Sequence, residues 1–148
     1  MQKTHSHIPQ GLVPLIPQIV TKDAARLLQF LEAAFGAKIG GQMPGPDGKG
    51  VMHAHVFIEG LPLFVAEPFG PAAPTKANLF VYLQDVDGAV KRAEQAGAKV
   101  LAPANDMPWG DRWALVEDPF GNQWQLAKHV EDVPPEEIMK RMARMQGA

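Results

Sequence analysis

Two histidines separated by one residue, His53-Ala54-His55, are the strongest chemical signal in the sequence. In an extended chain, residues two apart leave the same face. Both imidazoles would then share one side, with Ala54, Val56 and Ile58 on the other. Such a pair could hold a metal ion, or one ring could act as a general base. A closed metal site needs a third or fourth ligand, and Glu67 is the nearest candidate in sequence. The same two rings could also simply line a surface. A second signal combines aromatic and amide side chains: Phe64, Phe80, Tyr82, Trp109 and Trp113 with Asn78, Gln125 and Arg112. Aromatic walls carrying a few polar groups suit a flat or hydrophobic small ligand. Arg112 could pair with an anion or stack on a ring. Asn78 and Gln125 supply donors and acceptors that fix orientation. Trp124 alternates with Gln123 and Gln125, so it reads as core.

Composition removes several kinds of chemistry. The 148 residues include no cysteine, which excludes disulfides, thiolate zinc sites and cysteine nucleophiles. Ser6 is the sole serine, which argues against a serine triad. A net charge of -2 gives no global positive field toward nucleic acid or anionic membrane. The run from Gly11 to Val20 is apolar, but Pro14 and Pro17 interrupt it and no basic segment precedes it. The expectation is a cytoplasmic protein with no nucleic-acid or membrane partner. Residues 1–11 read as a flexible tail in which His5 and His7 are solvated.

The elements that must position these residues come from periodicity and turn chemistry. Leu15 to Val20 reads as a strand. Asp23 caps a helix carrying Ala24, Leu27, Leu28, Leu31, Ala34 and Phe35 at helical spacing, and Gly36 ends it. Lys38 to Met43, Val51 to Ile58 and Leu61 to Glu67 read as three strands, with a turn at Pro44–Gly48. The second half repeats this order. Leu79 to Leu83 is a strand, and Asp85 or Asp87 opens a helix that Gly97 ends. Lys99 to Ala104, Trp113 to Val116 and Trp124 to His129 are then strands. Pro134-Pro135 starts a last helix, because proline suits a first helical turn. Its apolar stripe is Ile138, Met142 and Met145, and Lys140, Arg141 and Arg144 read as a solvated face. Gly36-Ala37-Lys38-Ile39 recurs as Gly97-Ala98-Lys99-Val100 at an offset of 97 − 36 = 61. Gly60 and Gly121 keep that offset, as do Ala66 and Ala127, which indicates a duplicated unit. The expected fold is α+β, two tandem βαβββ modules plus a C-terminal helix. Module one spans about 12–68, a linker 69–76, module two about 77–130, and the helix lies within 131–148.

These features resemble the vicinal oxygen chelate superfamily, which holds glyoxalase I, bleomycin-resistance proteins and extradiol dioxygenases. The resemblance covers roughly residues 12–130. It rests on Val20-Thr21-Lys22-Asp23-Ala24, on Phe35-Gly36-Ala37 and on the turn before Met52-His53-Ala54. In the second half it rests on Asp85-Val86-Asp87, Trp109-Gly110-Asp111-Arg112 and Asp118-Pro119-Phe120-Gly121-Asn122. The PhnB-like branch is the most similar. The resemblance implies mixed sheets curled around a shared cleft. It also implies four metal-ligand positions in the metal-dependent members, usually His or Glu. Carried over one at a time, those positions fall near Ile16 and at Phe64, Asn78 and Gln125. Hydrocarbon and neutral amide groups are poor ligands for a divalent ion. The resemblance further implies a homodimer.

The functional expectation is therefore a small-molecule-binding protein of the glyoxalase/bleomycin-resistance type. Its cleft would lack the usual metal ligands, need no cofactor and serve drug or metabolite sequestration. The ligand-binding residues would be Phe64, Asn78, Phe80, Trp109, Arg112, Trp113 and Gln125. The alternative is a lyase, isomerase or dioxygenase using a divalent metal at His53 and His55. A third reading is an interaction or regulatory subunit with a vestigial cleft.

Overall fold

A computed structural model describes residues 6–147. Residues 1–5 of the expected tail, His5 among them, lie outside these residues. Leu12 N–H donates to the Pro9 carbonyl at 3.2 Å, so the chain turns just before the first strand. The elements follow the order β1 (Gln18–Val20), α1 (Ala24–Phe35), β2 (Lys38–Met43), β3 (His53–Ile58) and β4 (Leu61–Ala66). The order then repeats as β5 (Asn78–Tyr82), α2 (Val86–Gln95), β6 (Lys99–Asp106), β7 (Asp111–Glu117) and β8 (Gln123–His129), and α3 (Pro135–Gln146) closes the chain. The sequence elements are all present. The first strand is shorter than its apolar run because Pro14 and Pro17 have no N–H to give a ladder.

The chain divides into two compact units. The first holds the residues up to Glu32 together with Gly36–Thr75; the second holds Ala33–Phe35 and the residues from Lys76 onward. Each contains one four-stranded mixed sheet, ordered β1-β4-β3-β2 in the first and β5-β8-β7-β6 in the second. In each, the first strand pairs parallel with the fourth and the remaining pairs are antiparallel. This confirms the α+β tandem reading.

Local chemistry explains the repeated pattern. Asp23 caps α1 by accepting from Arg26 N–H at 3.1 Å, and Asp85 caps α2 by accepting from Gly88 N–H at 2.9 Å. Gly36 ends α1 with a left-handed φ of 64°, a conformation that glycine adopts without a Cβ penalty. In the first sheet one face buries Ile19, Ala54, Val56, Leu63 and Val65. In the second, Trp124, Leu126, Ala114 and Val116 are buried, and α2 lies against β6, β7 and β8. Both outer antiparallel strands carry register shifts. One lies between Ile39 and Gln42 in β2, and two lie between Val100 and Asn105 in β6.

The C-terminal helix forms as expected. Pro134 sits at its N-cap and Pro135 in its first turn. None of its residues is buried. Arg141 ties it down, reaching both carboxylate oxygens of Glu131 at 2.9 Å and Glu137 at 3.2 Å.

Candidate functional site

In both sheets, the strand alternation that buries one set of side chains leaves a second set on the open face. In the first unit β3 alternates between half-buried His53, His55 and Phe57 and fully buried Ala54, Val56 and Ile58. The ladder sets His55 opposite Phe64 and His53 opposite Ala66. The result is a cluster of three rings. His55 stacks on Phe64 with centroids 4.5 Å apart, His53 meets Phe64 edge-on at 4.9 Å, and the two imidazoles lie 5.5 Å apart. Burial, reinforced by the neighbouring His55, pushes the His53 imidazole below its usual 6.5, which favours the neutral ring. Gln18 pairs with Phe64 on the same face. Glu67 does not join the histidines. Its carboxylate lies 3.4 Å from Ala24 N–H at the start of α1.

The second unit's open face carries Asn78, Phe80 and Tyr82 from β5, Gln125 from β8 and Trp113 from β7. Phe80 stands opposite Gln125, as does Leu115. The amides form a connected network. Trp113 Nε1–H donates to Gln125 Oε1 at 3.1 Å, Gln125 Nε2–H donates to Asn78 Oδ1 at 3.0 Å, and Asn78 Nδ2–H donates to Gln123 Oε1 at 3.3 Å. Phe80 and Tyr82 are exposed, with ring centroids 5.2 Å apart. Trp109, in the turn before β7, meets Trp113 edge-on at 6.3 Å. Trp124 lies in the core, 2% exposed, and its Nε1–H donates to Asp118 at 3.0 Å.

Arg112 sits one residue from Trp113, so its side chain leaves the opposite face. There it forks onto Asp87 at 2.6 and 2.8 Å and reaches Asp106 at 3.1 Å. The guanidinium beside Asp87 holds that carboxyl below its usual range. Arg112 therefore stands apart from the aromatic and amide residues with which the sequence reading grouped it.

The sequence reading missed a cluster beside that network. Asp111 is buried, accepts from Tyr82 Oη–H at 3.0 Å and pairs with His129 Nδ1 at 2.9 Å. His129 Nε2 reaches Asp132 at 2.6 Å. Its hydrogen bonds to Asp132 and then Asp111 raise the imidazole's pKa, whereas the bond to Asp111 raises that of the Tyr82 phenol. Alternation from Trp113 would have placed Asp111 on the open side. Nothing local signals its partners 29 and 18 residues away.

The four positions that the resemblance assigns to metal ligands can be tested residue by residue. Ile16, ahead of β1, and Phe64 offer only hydrocarbon. Asn78 and Gln125 have carbonyl oxygens, but those oxygens already accept from Gln125 and Trp113. These side chains do not fit a divalent ion. Among the described residues, no group of three or more His, Cys, Asp or Glu is placed to hold a metal. No helix among them is long and apolar enough to cross a membrane.

Comparison with known proteins agrees with this architecture. An uncharacterized protein of Mycobacterium bovis is 36% identical over 140 residues, spanning 87% of this chain and 91% of that protein. The crystal structure of TioX from a Micromonospora species superimposes with a TM-score of 0.68 at 26% identity, covering 78% of this chain and 98% of TioX. A glyoxalase/bleomycin resistance protein from a Streptomyces species shares the fold with a TM-score of 0.58 at 23% identity, over 76% of this chain and 97% of its own. The family model described as the Glyoxalase/Bleomycin resistance protein/Dioxygenase superfamily matches residues 12–126, which takes in both repeated units up to β8. The chain belongs to that superfamily.

Proposed function

We propose that the protein binds a flat, largely apolar small molecule without the help of a metal ion, as a sequestering or carrier protein of its superfamily. The observation that carries this reading is the amide network of the second unit. Where the resemblance places ligating groups, Gln125 accepts from Trp113 and donates to Asn78, which in turn donates to Gln123. Such a network is a rigid polar floor, and Phe80, Tyr82 and Trp113 beside it supply aromatic area. Within the superfamily the motifs at Asp85–Asp87 and Asp118–Asn122 favour the PhnB-like branch. The exposed Met139 and Met145 on α3, a helix with no buried residue, favour a homodimer.

A panel of planar aromatic compounds, screened by thermal shift in the presence of EDTA, tests the reading. Ligands that bind only the native state raise its stability, by about 2.7 kcal/mol at a hundred times Kd. The expected hits also quench tryptophan fluorescence in the wild type and lose affinity in Trp113→Ala. A panel in which every hit requires added divalent metal would overturn the reading.

A second reading rests on the lowered pKa of His53. A neutral imidazole on an open face, beside a second one, is chemically suited to take a proton from a bound carbon or oxygen acid. An isomerase or lyase activity abolished by His53→Gln, with ligand binding retained, would favour it.

A further inference from the structure

We propose that His53, His55 and Met43 on the open face of the first sheet form a binding site for copper(I). Phe64, one of the metal-ligand positions of the superfamily, touches both rings but offers no donor atom, so the ligands proposed here are other residues, and the inference does not rest on the proposed function.

The two imidazoles are placed to share one ion. A metal–nitrogen bond of about 2.0 Å puts a ring centre about 3 Å from the metal, so rings sharing an ion have centres within about 6 Å. The observed separation is 5.5 Å. Among the described residues no hydrogen bond engages either ring, whose contacts are with each other and with Phe64. Their nitrogen lone pairs are therefore not committed to the protein. His129 differs, because both of its ring nitrogens face carboxylates.

A third donor comes from the neighbouring strand. Met43 pairs directly with His53 across the β2–β3 ladder, so the two side chains leave the same face. The thioether sits on an unbranched side chain that is 59% exposed and free to swing toward the rings. Phe64, packed on both imidazoles, forms an apolar floor beneath them.

The donor set selects the metal. Two imidazoles and a thioether carry no charge. Glu67, the carboxylate that the sequence offers as a third ligand, is turned to the N-terminus of α1. Zinc, nickel and iron sites usually add a thiolate or carboxylate, and calcium and magnesium require oxygen. A neutral nitrogen and soft-sulfur set matches monovalent copper.

The test uses full-length protein in which His5 and His7 are replaced by asparagine in every sample, which removes a second His-x-His pair near the N-terminus. Protein is titrated anaerobically, with ascorbate, into the coloured copper(I)–bicinchoninate complex. The expected result is withdrawal of one equivalent of copper. H53N/H55N should abolish withdrawal. Met43→Leu should weaken it by roughly tenfold or more, the range seen when supporting residues of metal sites are lost. X-ray absorption should show nitrogen and sulfur scatterers. The proposal is overturned by no withdrawal, by full withdrawal in a natively folded H53N/H55N, or by zinc binding that equals copper binding and ignores Met43. If H53N/H55N does not fold, Met43→Leu decides alone, and unchanged copper affinity in that variant sinks the proposal.

Discussion

The open faces of the two sheets repeat one pairing pattern and differ in chemistry. His55 stands opposite Phe64 in the first unit, and Leu115 stands opposite Gln125 in the second. The offsets are 125 − 64 = 61 and 115 − 55 = 60, so the β7–β8 connection is longer by one residue. The first hairpin turns on Glu59 and Gly60, both with positive φ. The second turns through Asp118–Asn122, held by the Asp118 carboxylate. Duplication kept the backbone pairing while the faces diverged. Among the described residues, one face displays imidazole rings with no hydrogen bonds, and the other a network of amides and indole with a phenol–carboxylate–imidazole cluster beside it. Uncommitted groups are available to a ligand or ion. Committed groups give shape and rigidity.

Three experiments sharpen or break this contrast. The largest effect should come from the second hairpin. Asp118 is 3% exposed and accepts from Phe120 N–H, Asn122 N–H and side-chain amide, and Trp124 Nε1–H. Asp118→Ala strands several buried donors, each worth about 1–3 kcal/mol, so urea unfolding should show a total loss of about 3 kcal/mol. A loss below about 1 kcal/mol would mean that the turn holds itself without the carboxylate. The first hairpin should respond in the opposite sense. Glu59 has a φ of 50°, which suits glycine or asparagine better. Glu59→Gly should leave stability unchanged or raise it by up to about 1 kcal/mol. The smallest effect is the pH response of the two histidine environments. NMR titration should place the His53 midpoint below 6.5 and that of His129 above it. The stabilisation from the His129 ion pairs is then full below 6.5 and lost as pH rises through the folded midpoint. The His53 contribution runs the other way, diminishing as pH falls below 6.5. His129→Gln should flatten the first slope, and coincident midpoints would erase the distinction between the faces.

The backbone was legible in the sequence because its signals are local. Asp23 and Asp85, Gly36 and Gly97, and the alternation around Trp124 each act within a few residues. The site was legible only in part. Period two put His53 and His55 together and separated Trp113 from Trp124, but it equally separates Arg112 from Trp113. Arg112 was grouped with the ligand-facing residues on its chemistry, while its partner Asp87 lies 25 residues away on α2. Met43 could have been found by counting back across the Pro44–Gly48 turn to the residue opposite His53. The Tyr82–Asp111–His129 cluster depends on three strands that only the ladder brings together, and no spacing rule encodes it.

The register shifts in β2 and β6 also bear on how copies of the molecule meet in concentrated solution. Both strands are outermost in their sheets and offer rows of amide groups to any passing extended peptide. The Gly40-Gly41 step bends one row out of line, and the irregular stretch around Pro103, a residue with no N–H, spoils the other. Fibril-like growth along these two margins is thereby discouraged.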